Sequence, residues 1–258
     1  GHGPFSHAFE SVTTAKHEEM TRRIILEDTE VHRALVRCSP SLPESVAAVI
    51  DHTHPNKILV LLYYYLMRYR GWRGAAVRNL ATTHLLDRIA EDFGETCYEV
   101  PVGFKYVSAK MVETGAIIGG ESSGGLTVRG HIQGKDGIYA AALLVEAIAK
   151  TGRRLSALWD EITQKYGAAE MAEHDFHFSS AERTRIFKLL MEDKQLPEFP
   201  CEIAKVSYMD GCKVYFKNGG WVIARFSGTE PLLRVFCEMD TMENAGKIAK
   251  ILTEFLSL

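Results

Sequence analysis

The chain has 258 residues, 46% apolar and 24% charged, with Lys+Arg 30 against Asp+Glu 33 and a formal charge of −3. These proportions exclude a disordered, collagenous or coiled-coil chain, and the charge balance lacks the basic face of a nucleic-acid binder. The longest apolar run, Ile58 to Met67, is half of the roughly 20 residues that span a bilayer, so no membrane segment is expected.

Residues 1–55 are the least regular, and no stretch has the charged, apolar, small-residue order of a signal peptide. Lys, Glu and Arg cluster around Thr14–Leu26, which suits a helix, and Ser39-Pro40-Ser41-Leu42-Pro43 breaks any regular element. Asn56 to Arg70 is a long apolar helix whose face is too broad for a surface position. Ala75–Ala81 then reads as a strand, and His84–Phe93 as a helix stopped by Gly94. Thr96–Val102 is a second strand, and Lys105–Glu113 a second helix ending at Gly115. Ala116-Ile117-Ile118 is a third strand running into Gly119-Gly120. Asp136 caps a helix over Gly137–Lys150, closed by Gly152. This alternation predicts an α/β three-layer domain with a mostly parallel sheet.

After Tyr166 the order changes. Asp175–Phe178 reads as a strand and Ala181–Asp193 as a helix, with Pro197 and Pro200 at a boundary. Strands follow at Glu202–Tyr208, Lys213–Phe216, Trp221–Phe226 and Leu232–Glu238, with hairpin turns at Asp210-Gly211 and Asn218-Gly219. A helix over Glu243–Leu256 closes the chain. This part predicts a smaller α+β domain with an antiparallel sheet. The domains are placed at 1–55, 56–168 and 169–258.

Three loops carry chemistry. Gly119-Gly120-Glu121-Ser122-Ser123-Gly124-Gly125 follows a buried-type strand, at the sheet edge where open α/β folds bind ligands. It lacks the Gly-Lys-Ser/Thr ending of a phosphate cradle. Glu121 and Ser123 suit a polyol, because the carboxylate accepts from adjacent hydroxyls; the plain alternative is a flexible glycine turn. Arg225-Phe226-Ser227-Gly228-Thr229-Glu230-Pro231 places a planar fork, two hydroxyls and a glycine within five residues, which suits phosphate. The alternative is a hairpin with an exposed Arg. Pro101-Val102-Gly103-Phe104-Lys105 is a strand-to-helix turn whose lysine could reach a ligand held by Glu121, or simply lie in solvent.

Other features read as structure. His52-Thr53-His54 and His174-Asp175-Phe176-His177 lack a third ligand for a metal, and Ser6-His7 is not a triad. The cysteines, Cys38, Cys97, Cys201, Cys212 and Cys237, are odd in number and have no C-x-x-C spacing. Reduced thiols in a cytoplasmic protein are the expectation.

At these loops the sequence resembles the C-terminal half of the α-D-phosphohexomutase family, which holds phosphoglucomutases, phosphomannomutases and phosphoglucosamine mutases. The resemblance covers about Pro55 to Leu258. It rests on the glycine loop of Glu121, on Lys135-Asp136-Gly137 after it, on Val102-Gly103-Phe104-Lys105, and on Arg225-Phe226-Ser227-Gly228-Thr229-Glu230-Pro231. It implies that Glu121 and Ser123 read sugar hydroxyls and that Arg225, Ser227, Gly228 and Thr229 hold a phosphate. It further implies that Lys105 contacts the ligand, with a possible part in proton transfer. The implied ligand is a phosphorylated hexose.

Family enzymes also carry a phosphoserine in a Thr-Ala-Ser-His-Asn-Pro loop and magnesium in an Asp-Gly-Asp-x-Asp-Arg loop. Neither occurs in these 258 residues. The place of the metal loop falls near Ser41-Leu42-Pro43-Glu44-Ser45-Val46, whose hydroxyls and proline do not suit Mg²⁺. Residues 1–55 would then be the remnant of a second domain. No cofactor is expected in this chain, and Mg²⁺ only in a complete family enzyme. The expectation is a chain that binds a hexose phosphate and does not turn it over alone. It is either a piece of a longer mutase or a short form with an altered front end. The rival expectations are a non-catalytic phosphosugar-binding protein and a subunit completed in trans by an N-terminal half.

Overall fold

The computed structural model describes residues 55–228 and 230–258, together with Arg33, Val36 and Arg37. The helix read at Thr14–Leu26 and the break at 39–43 lie outside them.

The first described element, α1 (Pro55–Arg68), is buried nearly all round, and from Leu59 to Met67 no residue is more than 4% exposed. This explains its uninterrupted apolar sequence. A sheet of β1 (Ala76–Asn79), β2 (Cys97–Val100), β3 (Ile118–Gly120) and β4 (Leu126–Val128) follows, in the order β2-β1-β3-β4. β1 pairs parallel with β2 and β3, and β4 pairs antiparallel with β3. One face is covered by α3 (Phe104–Thr114), through Val107 and Met111 against Val77 and Val100. The other is covered by α1, α2 (Leu85–Asp92), α4 (Gly137–Thr151) and α5 (Leu155–Tyr166). Asp136 caps α4 by accepting from the amides of Ile138 and Tyr139, and Gly152 ends it in the left-handed conformation.

The second sheet holds β5 (Glu170–His177), β6 (Ile203–Ser207), β7 (Cys212–Phe216), β8 (Trp221–Phe226) and β9 (Leu232–Met239). Its order is β5-β9-β8-β7-β6, and every pair is antiparallel. Between β5 and β6 lie α6 (Ser180–Phe187) and a π-helical turn, Lys188–Glu192. The last helix, α7 (Met242–Phe255), packs its Ala245, Ile248, Ala249 and Leu252 on Val222, Val235 and Cys237.

The middle of the other face of this sheet does not meet water. Strand side chains alternate with period two, and Tyr215, Trp221, Ile223 and Phe236 pack on Leu80 and Ala81 of the first domain. The two domains are thus joined through a buried face, and the carboxyl edge of the first sheet lies against the flat of the second.

Three elements differ from the sequence reading. β4 is too short, and too close to the glycine loop, to signal a strand. Arg154, the N-cap of α5, makes no side-chain capping bond, so the only mark of this helix is the spacing of Leu155, Leu158 and Ile162. β5 also begins at Glu170, earlier than read, because β9 pairs with it along its whole length.

Candidate functional site

β1, β2 and β3 end side by side at one sheet edge, and Glu121 leaves the sheet directly after β3. Its backbone closes a tight turn, with Glu121 N–H donating to Gly125 O at 2.9 Å and Gly124 N–H to Glu121 O at 3.0 Å. The side chain is 5% exposed. Burying a carboxylate that deeply requires partners, and three are present. Gly103 N–H donates to Oε1 at 3.0 Å, Asn79 Nδ2 lies 3.4 Å from Oε1, and Lys135 Nζ lies 2.8 Å from Oε2. Lys135 reaches the carboxylate by crossing Gly125, where a Cβ would lie 2.4 Å from its Cδ. A side chain at 125 would push that lysine off its present path. Ser123 is exposed at the crown of the turn.

The second loop ends β8. Arg225 shares the pleat face of Trp221 and Ile223, the face turned to the first domain. Its Nε donates to Asp210 Oδ2 at 2.9 Å, and its side chain is 16% exposed. Asp210 Oδ2 also accepts from Val102 N–H at 2.9 Å. Adjacent amides of one turn therefore meet the two loops: Val102 holds the partner of Arg225, and Gly103 holds Glu121. Ser227 fixes its own loop, its N–H donating to Leu232 O and its hydroxyl accepting from Glu230 N–H. Gly228 is exposed. Thr229 lies outside the described residues.

Beside this edge the domain junction buries an ionic cluster. Arg78, 3% exposed, binds Asp87 through Nε and Nη2 at 2.6 and 2.9 Å and Glu99 through Nη1 at 2.5 Å. Lys213, 2% exposed, crosses from the second domain to donate to Glu99 at 2.8 Å and to Leu80 O at 2.5 Å, and it lies 3.1 Å from His84 Nε2. Tyr215 O–H donates to Glu99 Oε1. Glu238 Oε1 accepts from His84 N–H at 2.9 Å and from Trp221 Nε1 at 3.1 Å. Burial, then the charge of Arg78, pushes the His84 imidazole down to about 3, and the same two causes push Lys213 down to about 7. Burial alone would raise Glu99, but His84, Arg78 and Lys213 outweigh it and hold the carboxyl far below its ordinary value.

These shifts share one sign. Between about 3 and the ordinary histidine value of 6.5, the unfolded chain carries a proton at His84 that the folded chain does not. Stability therefore falls as pH drops through that window, by ~1.4 kcal/mol per pH unit for one proton. Glu99, whose folded value is depressed, adds to the loss at lower pH. Lys213 acts in the same direction in a higher window, since the unfolded ammonium keeps its proton above pH 7 when the folded one does not. Urea midpoints at pH 7, 6 and 5 test this: the parent chain is expected to lose more stability on acidification than His84→Gln. Parallel profiles would contradict the assignment to His84.

The sequence-predicted residues thus fall into two groups. Glu121 and Arg225 meet through the turn at 102–103. Lys105 projects from the first turn of α3 with Nζ 4.9 Å over the Tyr106 ring, exposed, and the lysine paired with Glu121 is Lys135. Lys135 was visible only as part of Lys135-Asp136-Gly137, just ahead of the cap of α4. Among the described residues no group of three or more His, Cys, Asp or Glu could hold a metal ion, and residues 41–46 lie outside them. His52 and His54 also lie outside, whereas His174 and His177 are exposed on β5. No helix among the described residues is long and apolar enough to cross a membrane.

Two family models match the chain. One describes the phosphoglucomutase/phosphomannomutase alpha/beta/alpha domain III and covers residues 54–166; the other describes the C-terminal domain of the same proteins and covers residues 187–254. A phosphoglucomutase/phosphomannomutase of Thermococcus kodakarensis is 33% identical over 196 residues, which are 76% of this chain and 40% of the relative. A phosphoglucosamine mutase of Synechocystis is 31% identical over 180 residues, 70% of this chain and 34% of the relative. The crystal structure of a putative phosphomannomutase from Thermus thermophilus superposes with a TM-score of 0.63 at 29% identity, covering 80% of this chain and 41% of that one. The chain spans less than half the length of each of these relatives.

Proposed function

This chain belongs to the phosphoglucomutase/phosphomannomutase family, and on that premise we propose that its two described domains bind one hexose phosphate between them. The observation that carries this reading is that consecutive amides, Val102 and Gly103, hold Asp210, the partner of Arg225, and Glu121. Glu121 accepts from two sugar hydroxyls, and Ser123 adds a donor and acceptor above it. Lys135 neutralises the carboxylate until sugar hydroxyls arrive, and Lys105 closes the rim. Arg225, Ser227, Gly228 and Thr229 take the phosphate. The guanidinium offers its terminal nitrogens as a fork, since among the described residues only Nε is engaged. In a complete phosphohexomutase these groups would orient the sugar phosphate while phosphoryl transfer ran elsewhere in the protein, interconverting 1- and 6-phosphohexoses. Phosphoryl transfer depends on such positioning.

Calorimetric titration tests the reading. Glucose 6-phosphate is expected to bind at least about 10-fold more tightly than inorganic phosphate, since the hydroxyls add at least one charge-assisted contact. Equal affinity for the two ligands would remove the sugar from the site.

A further inference from the structure

The turn before β7 reaches across the domain junction at one residue. Gly211 has φ +96, and a Cβ there would lie 2.5 Å from Ala224 O and 3.0 Å from the Cα of Arg225. The turn can therefore rest against β8 at Arg225 only with glycine in that place. This contact delivers the carboxylate of Asp210 to a point between the domains. A single oxygen, Oδ2, accepts from Arg225 Nε and from Val102 N–H, each at 2.9 Å. Both partners are largely shielded, Arg225 at 16% and Asp210 at 25% side-chain exposure.

We propose that Asp210 is a positioning residue that sets the register between the phosphate-holding and sugar-holding loops. The inference rests on reading Arg225 as the phosphate holder and Glu121 as the sugar holder. Its bond to Nε fixes the plane of the guanidinium and leaves the two terminal nitrogens without a bond to it. Its bond to Val102 ties that plane to the peptide whose next amide, Gly103 N–H, holds Glu121 at 3.0 Å. From Arg225 to Glu121 the path runs through one carboxylate and one peptide unit. A rotation of the second domain on the first must break the Asp210–Val102 bond. With that bond made, the spacing of the two loops matches one ligand; without it, each loop still binds its own part of the ligand.

Asp210→Ala and Asp210→Asn separate this role from simple support of Arg225. In Asp210→Ala, glucose 6-phosphate binding is expected to weaken by about 10-fold or more, while inorganic phosphate, which needs no register, changes by less than about threefold. The amide of Val102 is expected to exchange with deuterium at least about 10-fold faster. Asp210→Asn retains an oxygen that accepts both bonds, so it is expected to restore glucose 6-phosphate binding to within about threefold of the parent. Equal losses for both ligands would assign Asp210 to Arg225 alone and overturn the proposal. So would an Asp210→Asn variant as weak as Asp210→Ala, or unchanged exchange at Val102. If the parent chain binds neither ligand, the hexose-phosphate reading fails; the bridge between the domains is then decided by the Val102 exchange alone.

Discussion

At pH 6, where Lys213, pushed down to about 7, still carries its proton, Glu99→Gln is expected to destabilise the protein by about 3 kcal/mol, the lower end of the range for breaking a buried ion pair. The carboxylate sits between Arg78 Nη1 at 2.5 Å and Lys213 Nζ at 2.8 Å, and accepts from Tyr215 as well. It is the only anion of the cluster that touches both cations, since Asp87 binds Arg78 alone among the ion pairs of the described residues. The amide keeps the volume and can still accept from Tyr215. It removes the charge, and it turns an NH₂ toward an ammonium or a guanidinium. Lys213 is 2% exposed and cannot recover water without parting the domains. The lower end of the range applies because the Glu99 side chain is 19% exposed. At roughly 2–4 °C per kcal/mol for a chain of this size, the thermal midpoint should fall by about 6–12 °C. A calorimetric scan showing a fall below about 2 °C would mean that water or side-chain rearrangement compensates the lost charge.

The cluster also marks where sequence reading stopped. In Cys212-Lys213-Val214-Tyr215-Phe216 the alternation suggests that Lys213 and Tyr215 face solvent. That face is covered by Leu80 and Ala81, just beyond the end of β1, which no local pattern announces. Glu238, 1% exposed at the end of β9, was hidden for the same reason. The second domain was legible in nearly every element, because the turns at Asp210-Gly211 and Asn218-Gly219 separate its strands, and in the first domain glycines at 94, 115 and 152 stop three helices and apolar runs mark β1 to β3. The short antiparallel strand β4 of the first domain was not legible, since three residues carry no period. Within the site, Glu121 and Arg225 stood out because glycines and hydroxyls surround them. Lys135 and Asp210 did not. Each acts through a partner that only folding brings near: Lys135 through Glu121 across Gly125, and Asp210 through Arg225 and Val102 across the junction.

The central claim is that one ligand is read by both domains, with the sugar on Glu121 and the phosphate on Arg225. Each charge-assisted contact contributes roughly 1.5–3 kcal/mol, so losing either residue is expected to weaken glucose 6-phosphate by about 10- to 100-fold. The two losses differ in kind. Arg225→Ala removes the phosphate fork and leaves Asp210 without its guanidinium. Glu121→Ala removes the hydroxyl acceptor and frees Lys135, whose cation remains beside the site. Calorimetric titration of the parent chain and of both variants, each with glucose 6-phosphate and with inorganic phosphate, tests the claim most directly. Arg225→Ala is expected to weaken both ligands alike, and Glu121→Ala to weaken glucose 6-phosphate while leaving inorganic phosphate unchanged. A Glu121→Ala variant that binds glucose 6-phosphate as tightly as the parent chain would contradict the account, because the first domain would then take no part in holding the sugar.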